Sequence, residues 1–160
     1  MKTNAARYLD SLNISYELRD YALDSDEEFS AIIVAEKIGL PPEQVYKTLL
    51  CVTSDKEHLF AVVPGNAELD FKKLAAAAGA RKAEMVSLKD IQPLTGYIRG
   101  GVTVFGAKKD FPVYVDEIVE LFDIVSVSAG IKGTQIVLSP SDYIRAANAT
   151  VAPLTKEGTL

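Results

Sequence analysis

The chain of 160 residues holds one cysteine and one histidine. That scarcity removes whole classes of chemistry. A metal centre needs several Cys, His or carboxylate ligands to converge, so zinc is rejected and no metal site is expected. A Ser-His-Asp or Cys-His nucleophile system would rest on His58 alone, beside the polar Ser54-Asp55-Lys56-Glu57 turn where exposure is expected, and no Gly-x-Ser-x-Gly elbow exists. Neither a Walker A loop nor a Gly-x-Gly-x-x-Gly fingerprint occurs, so no nucleotide cofactor is indicated. A single thiol cannot form an intrachain disulfide. Cys51 lies between Leu50 and Val52 in an apolar run, which predicts a buried thiol and fits a reducing compartment.

Long hydrophobic runs are missing too. Nowhere do ~18 apolar residues follow one another, the length a spanning helix requires, so no membrane association is expected. Arg7 and Asp10 fall where a secretory signal would be unbroken and apolar, and the expectation is a soluble, cytoplasmic protein. A long Pro/Gly/Ser-rich linker is also absent, and 48% hydrophobic with 24% charged residues suits one globular domain over residues 1–160.

Positive charge is short overall but concentrated. The net charge of −5 argues against a protein that grips nucleic acid tightly by itself, because phosphate binding relies on Lys and Arg releasing counterions. Residues 72–109 nevertheless carry eight basic residues (Lys72, Lys73, Arg81, Lys82, Lys89, Arg99, Lys108, Lys109) against Glu84 and Asp90, a local +6 that leaves −11 for the rest. On charge alone two readings stand level: solvated helix faces, or a local site for an anionic ligand presented by a partner.

The pattern predicts an α/β (α+β) domain with a mixed sheet and surrounding helices. A helix over residues 3–12, capped by Asn4, precedes a strand at 14–21; Asp24 to Glu28 is an acidic loop. Ser30 caps a helix through Ile38, stopped by Gly39, and Pro41-Pro42 begins a short turn. Val45–Thr53 and His58–Val63 read as a hairpin closed by Pro64-Gly65-Asn66. Asp70 caps a helix over Phe71–Ala78 that stops at Gly79. A short strand at Ala83–Val86, a helix start at Ser87–Ile91, and a glycine-bearing loop from Thr95 to Gly101 follow. Later strands are expected at Val113–Val115, Ile124–Ser128 and Gln135–Leu138, with a last helix from Ser139-Pro140 through Ala147.

Lys47 needs an explanation, since the run Val45-Tyr46-Lys47-Thr48-Leu49-Leu50-Cys51-Val52 is otherwise β-prone and largely apolar. It either snorkels to water at the strand's entry or serves as an anion or carbonyl ligand at a pocket floor.

Gln44-Val45-Tyr46-Lys47-Thr48-Leu49-Leu50 closely resembles the lysine-bearing motif of YbaK/EbsC proteins, relatives of the editing domain of bacterial prolyl-tRNA synthetase. Agreement continues through Asp70-Phe71-Lys72-Lys73-Leu74-Ala75, Thr95-Gly96-Tyr97 with Gly100-Gly101, and Ser126-Val127-Ser128-Ala129-Gly130 with Lys132-Gly133, in order over nearly the whole chain. The resemblance implies a mixed-sheet domain that takes the aminoacylated 3′ end of tRNA, with Lys47 as the residue most tied to activity. It further implies Tyr21, Thr48 and Tyr97 as pocket residues, Gly100-Gly101 as a wall offering backbone donors, and Ser128 with Gly130 as the late segment of the site. Cysteine-specific members carry an acidic residue where Gln135 stands; Gln keeps the hydrogen-bonding reach without the charge, which bears on amino-acid preference. The implied activity is cofactor-free removal of a mischarged amino acid from tRNA(Pro), cysteine first and alanine next, with prolyl-tRNA synthetase as the implied partner. In the cysteine branch the substrate's own thiol is the implied attacking group. A non-catalytic module that binds aminoacyl-tRNA or a synthetase is the alternative reading of the same fold.

Overall fold

The computed structural model describes residues 2–23 and 30–158. The predicted acidic loop at 24–28 lies outside the described residues. Local signals place most helices. In α1 (Asn4–Ser11) the cap is Thr3, whose hydroxyl accepts from the Ala6 N–H at 3.2 Å. Asn4, the expected cap, is already helical, and its amide donates instead to the Gly106 carbonyl at 2.9 Å. Two adjacent cap formers compete here, and the tertiary contact decides between them. Helix α2 (Ala31–Ile38) is capped by Ser30 and stops at Gly39; α3 (Phe71–Ala78) is capped by Asp70, which accepts from Lys72 and Lys73 N–H. Helix α4 (Leu88–Thr95) runs four residues beyond the expected start at Ser87–Ile91, with Pro93 inside it, and α5 (Pro140–Ala147) has Ser139 as its cap.

The strands form two sheets where one mixed sheet was expected. Five of them, β2 (Tyr46–Thr53), β3 (His58–Pro64), β4 (Ala83–Met85), β5 (Val113–Asp116) and β8 (Thr150–Ala152), make a mixed sheet in the order β4-β2-β3-β5-β8. The predicted hairpin is its centre, with Lys47 opposite Val63 and Cys51 opposite Leu59. The remaining three, β1 (Glu17–Asp20), β6 (Val125–Ser128) and β7 (Thr134–Leu138), pair antiparallel in the order β1-β7-β6. All five residues of β7 are buried, which suits its place between two neighbours. A parallel bridge between Val45 and Ser126 joins the sheets at the start of β2. Two short 3-10 turns, Pro42–Gln44 and Glu117–Leu121, complete the element order.

Strand β3 explains where the core sits. Its apolar run is buried on both faces, as expected of a central strand. Phe60 and Val62 join a large cluster with Tyr46, Leu50, Val127 and Ile136 that draws on both sheets. Leu59, Ala61 and Val63 point to a second cluster with Cys51, Leu74 and Leu154 under α3. Cys51 is buried as predicted, and burial pushes its thiol up to about 12. His58 is half-buried, its ring 5.3 Å from that of Phe111.

Candidate active site

Strand β4 pairs with β2 only at Cys51–Thr53, and β6 meets the chain ahead of β2 only at the Val45–Ser126 bridge, so the outer edge of β2 from Lys47 to Leu50 has no ladder partner among the described residues. The Leu50 carbonyl faces that edge, accepting from the Val86 N–H at 3.0 Å. The alternation of an antiparallel ladder turns the Thr48 N–H and C=O the same way. A cleft of about 600 Å³ opens there, within the size range of small-ligand sites. The start of α2 with Ser30 and Ala31 forms one wall, Met85, Leu88 and Ile91 of the β4–α4 segment another, and Gly100, Ser128 and Gln135 close it. Gly65 lets α2 approach: a Cβ there would lie 2.6 Å from the Ala31 Cβ and 2.9 Å from the Val45 carbonyl oxygen.

Lys47 lines this cleft half-buried, without an ion pair or hydrogen bond to any described residue. Burial pulls its pKa below the usual 10.5, and the charge of Glu68 offsets only part of that effect. A half-buried ammonium without an ion-pair partner is a strong donor for an oxygen that develops negative charge. Among the described residues, the lining contains two cations, Lys47 and Arg99, and no Asp or Glu.

Gln135 is 4% exposed, and its Oε1 accepts from the Ser126 hydroxyl at 2.6 Å. Gln135 lines the cleft. Ser128 stands opposite Gln135 in the β6–β7 ladder and also lines the cleft, its Oγ accepting from the Gly130 N–H at 3.1 Å.

The structure thus brings together Lys47, Thr48, Gly100, Ser128 and Gln135. The other expected residues stand apart from the lining. Tyr97 is buried with its hydroxyl donating to the Phe105 carbonyl at 2.6 Å, so its polar group is already used inside the fold. Gly130, with φ of 98°, lies under that ring: a Cβ would come within 2.9 Å of it. Gly101 packs against the Gly130 backbone, and its N–H donates to the Ile98 carbonyl at 2.9 Å, so it offers no free donor. Tyr21 joins the cluster of Val34, Ala35, Ile38 and Val45, with its hydroxyl buried and unpartnered. Conversely, Arg99, Gly65 and the start of α2 belong to the cleft, although the sequence marked Arg99 only as one of eight basic residues. Of those eight, Lys73 is engaged elsewhere, donating to the Thr155 carbonyl at 2.7 Å.

Residues 27–146 match the family model described as the aminoacyl-tRNA editing domain. EbsC of Enterococcus faecalis, which carries the name of a Cys-tRNA(Pro)/Cys-tRNA(Cys) deacylase, is 42% identical over 154 residues, covering 96% of this chain and 93% of that protein. ProXp-y of Escherichia coli K12, named a multifunctional Ser/Thr-tRNA deacylase, is 26% identical over 118 residues, 71% of each chain. A solved structure described as a trans-editing enzyme for prolyl-tRNA synthetase superposes with a TM-score of 0.83 at 21% identity, covering 98% of this chain and 99% of that one. Fold and cleft therefore define the class: an enzyme domain that edits aminoacyl-tRNA. The chain belongs to the aminoacyl-tRNA editing domain family, in its YbaK/EbsC branch.

Proposed function

We propose that this protein, one domain over residues 1–160, acts in trans in the cytoplasm to remove a mischarged amino acid from tRNA(Pro), cysteine foremost and alanine next, alongside prolyl-tRNA synthetase. The observation that carries the proposal is Lys47: a half-buried cation on a cleft whose lining, among the described residues, holds no carboxylate, cysteine or histidine. The name of EbsC and the full-length match to it support the substrate class. The core cluster shared by the two sheets supports a single folding unit.

The chemistry follows from what lines the cleft. Water, or the thiol of a cysteinyl group, attacks the ester carbonyl carbon and gives up its proton. The carbonyl oxygen takes the negative charge beside the Lys47 ammonium; collapse then breaks the bond to the ribose oxygen, which leaves as a hydroxyl once protonated. Gln135 and the Thr48 backbone, both on the cleft lining, fix the aminoacyl group, so the protein contributes mainly position and charge. The net charge of −5 fits weak affinity for bare tRNA, improved when the synthetase presents it.

The test is the loss of amino acid from Cys-tRNA(Pro) and Ala-tRNA(Pro) with and without the protein. Acceleration of at least one ester is expected. Binding that leaves both esters at the uncatalysed rate would replace the enzyme with an aminoacyl-tRNA binding module.

A further inference from the structure

The second cation of the cleft has no part in the ester chemistry above. Arg99 is exposed, lines the cleft, and forms no ion pair or hydrogen bond with any described residue. Its backbone, by contrast, is held on both sides. The Tyr97 N–H donates to the Thr95 hydroxyl at 3.0 Å, the Tyr97 hydroxyl is tied to Phe105, and the Gly101 N–H closes the turn onto Ile98. The chain therefore presents an unengaged guanidinium from a fixed point at the cleft's rim. Among the described residues, no carboxylate on the lining competes for it.

The two cations differ in what they suit. Lys47 is half out of water, which favours an oxygen that gains charge only as the reaction proceeds. A phosphodiester is charged throughout and costly to dehydrate, so it belongs at the wet rim. There the planar fork of an arginine matches two phosphate oxygens at once. We propose that Arg99 binds the phosphodiester on the 5′ side of the terminal adenosine of aminoacyl-tRNA, which leaves Lys47 free for the ester. This rests on the deacylase reading and assigns the cleft a direction: amino acid inward by Lys47 and Gln135, nucleic acid outward past Arg99.

The experiment uses binding, so that it stands apart from turnover. An unreactive analogue, cysteine joined through an amide to 3′-amino-3′-deoxyadenosine, is titrated with and without a 5′-phosphate into the wild-type protein, Arg99→Ala and Arg99→Lys. The 5′-phosphate is expected to tighten wild-type binding about tenfold, as for a charge-assisted contact. That gain should vanish in Arg99→Ala and persist in part in Arg99→Lys, with the phosphate-free analogue bound equally by all three. Equal phosphate gains in the wild type and Arg99→Ala, no gain in the wild type, or equal weakening of both analogues in Arg99→Ala would each overturn the assignment. Failure of the deacylase reading shows separately, as an unaccelerated rate on Cys-tRNA(Pro).

Discussion

Lys47 combines a charge with a site that resists it. Its folded-state pKa is lowered by burial, so the charged form is disfavoured relative to the unfolded chain. The sign is unfavourable to stability below the lowered pKa, and the penalty is relieved as pH rises through it. If the ammonium does the chemistry, the ratio of catalysed to uncatalysed ester loss should hold near neutral pH and fall on the alkaline side, at a pH below 10.5. A pH–rate profile checks this, and Lys47→Arg should move any fall in the residual rate to higher pH. A ratio that rises through the same range would mean that the neutral amine is the active form. Gln135 offers a second test at this scale. Gln135→Glu would place a carboxylate on the lining, next to Ser126. It should raise the preference for Cys-tRNA(Pro) over its N-acetylated form several-fold, since only the former carries an α-ammonium. An unchanged ratio would show that the amino group sits elsewhere.

At the scale of elements, the cleft exists because β4 stops short and α2 comes close. Gly65 permits that approach, so Gly65→Ala should destabilise the fold by about 1–3 kcal/mol through overpacking against Ala31 and Val45. The denaturant midpoint at constant m-value measures it, and no shift would mean that α2 gives way freely. Much of this architecture was legible in the sequence because its signals are local. Ser30, Asp70 and Ser139 cap helices where expected, and the Gly39 and Gly79 stops fall in place. Strand partnership is not local. Nothing within Thr134–Leu138 says that it pairs with Glu17–Asp20 more than a hundred positions away, so the division into two sheets appeared only in the structure. The three-residue β8 was missed for the same reason, being parallel to β5. In the site, Lys47, Thr48, Gly100, Ser128 and Gln135, expected from their motifs, line one cleft. Tyr97, Gly101 and Gly130 belong to the same motifs but hold the loop instead of lining the cleft, a difference invisible to spacing.

The molecule is acidic overall, while the charged residues of the cleft lining, among the described residues, are Lys47 and Arg99. On the proposed reading, a net charge of −5 would disfavour indiscriminate binding of nucleic acid, and Lys47 and Arg99 would supply the local attraction for the aminoacyl end. The large core cluster draws on both sheets, and so on the strands that carry Lys47 and Gln135. The proposed reaction turns on Lys47. Single-turnover release of cysteine from Cys-tRNA(Pro) by the wild type and Lys47→Ala, with melting curves to show that both fold, is the test. At least about a hundredfold loss of rate is expected in Lys47→Ala, the scale of removing one oxyanion donor, with a melting temperature equal to or above the wild type's. A folded Lys47→Ala protein that releases cysteine at the wild-type rate would contradict that reaction.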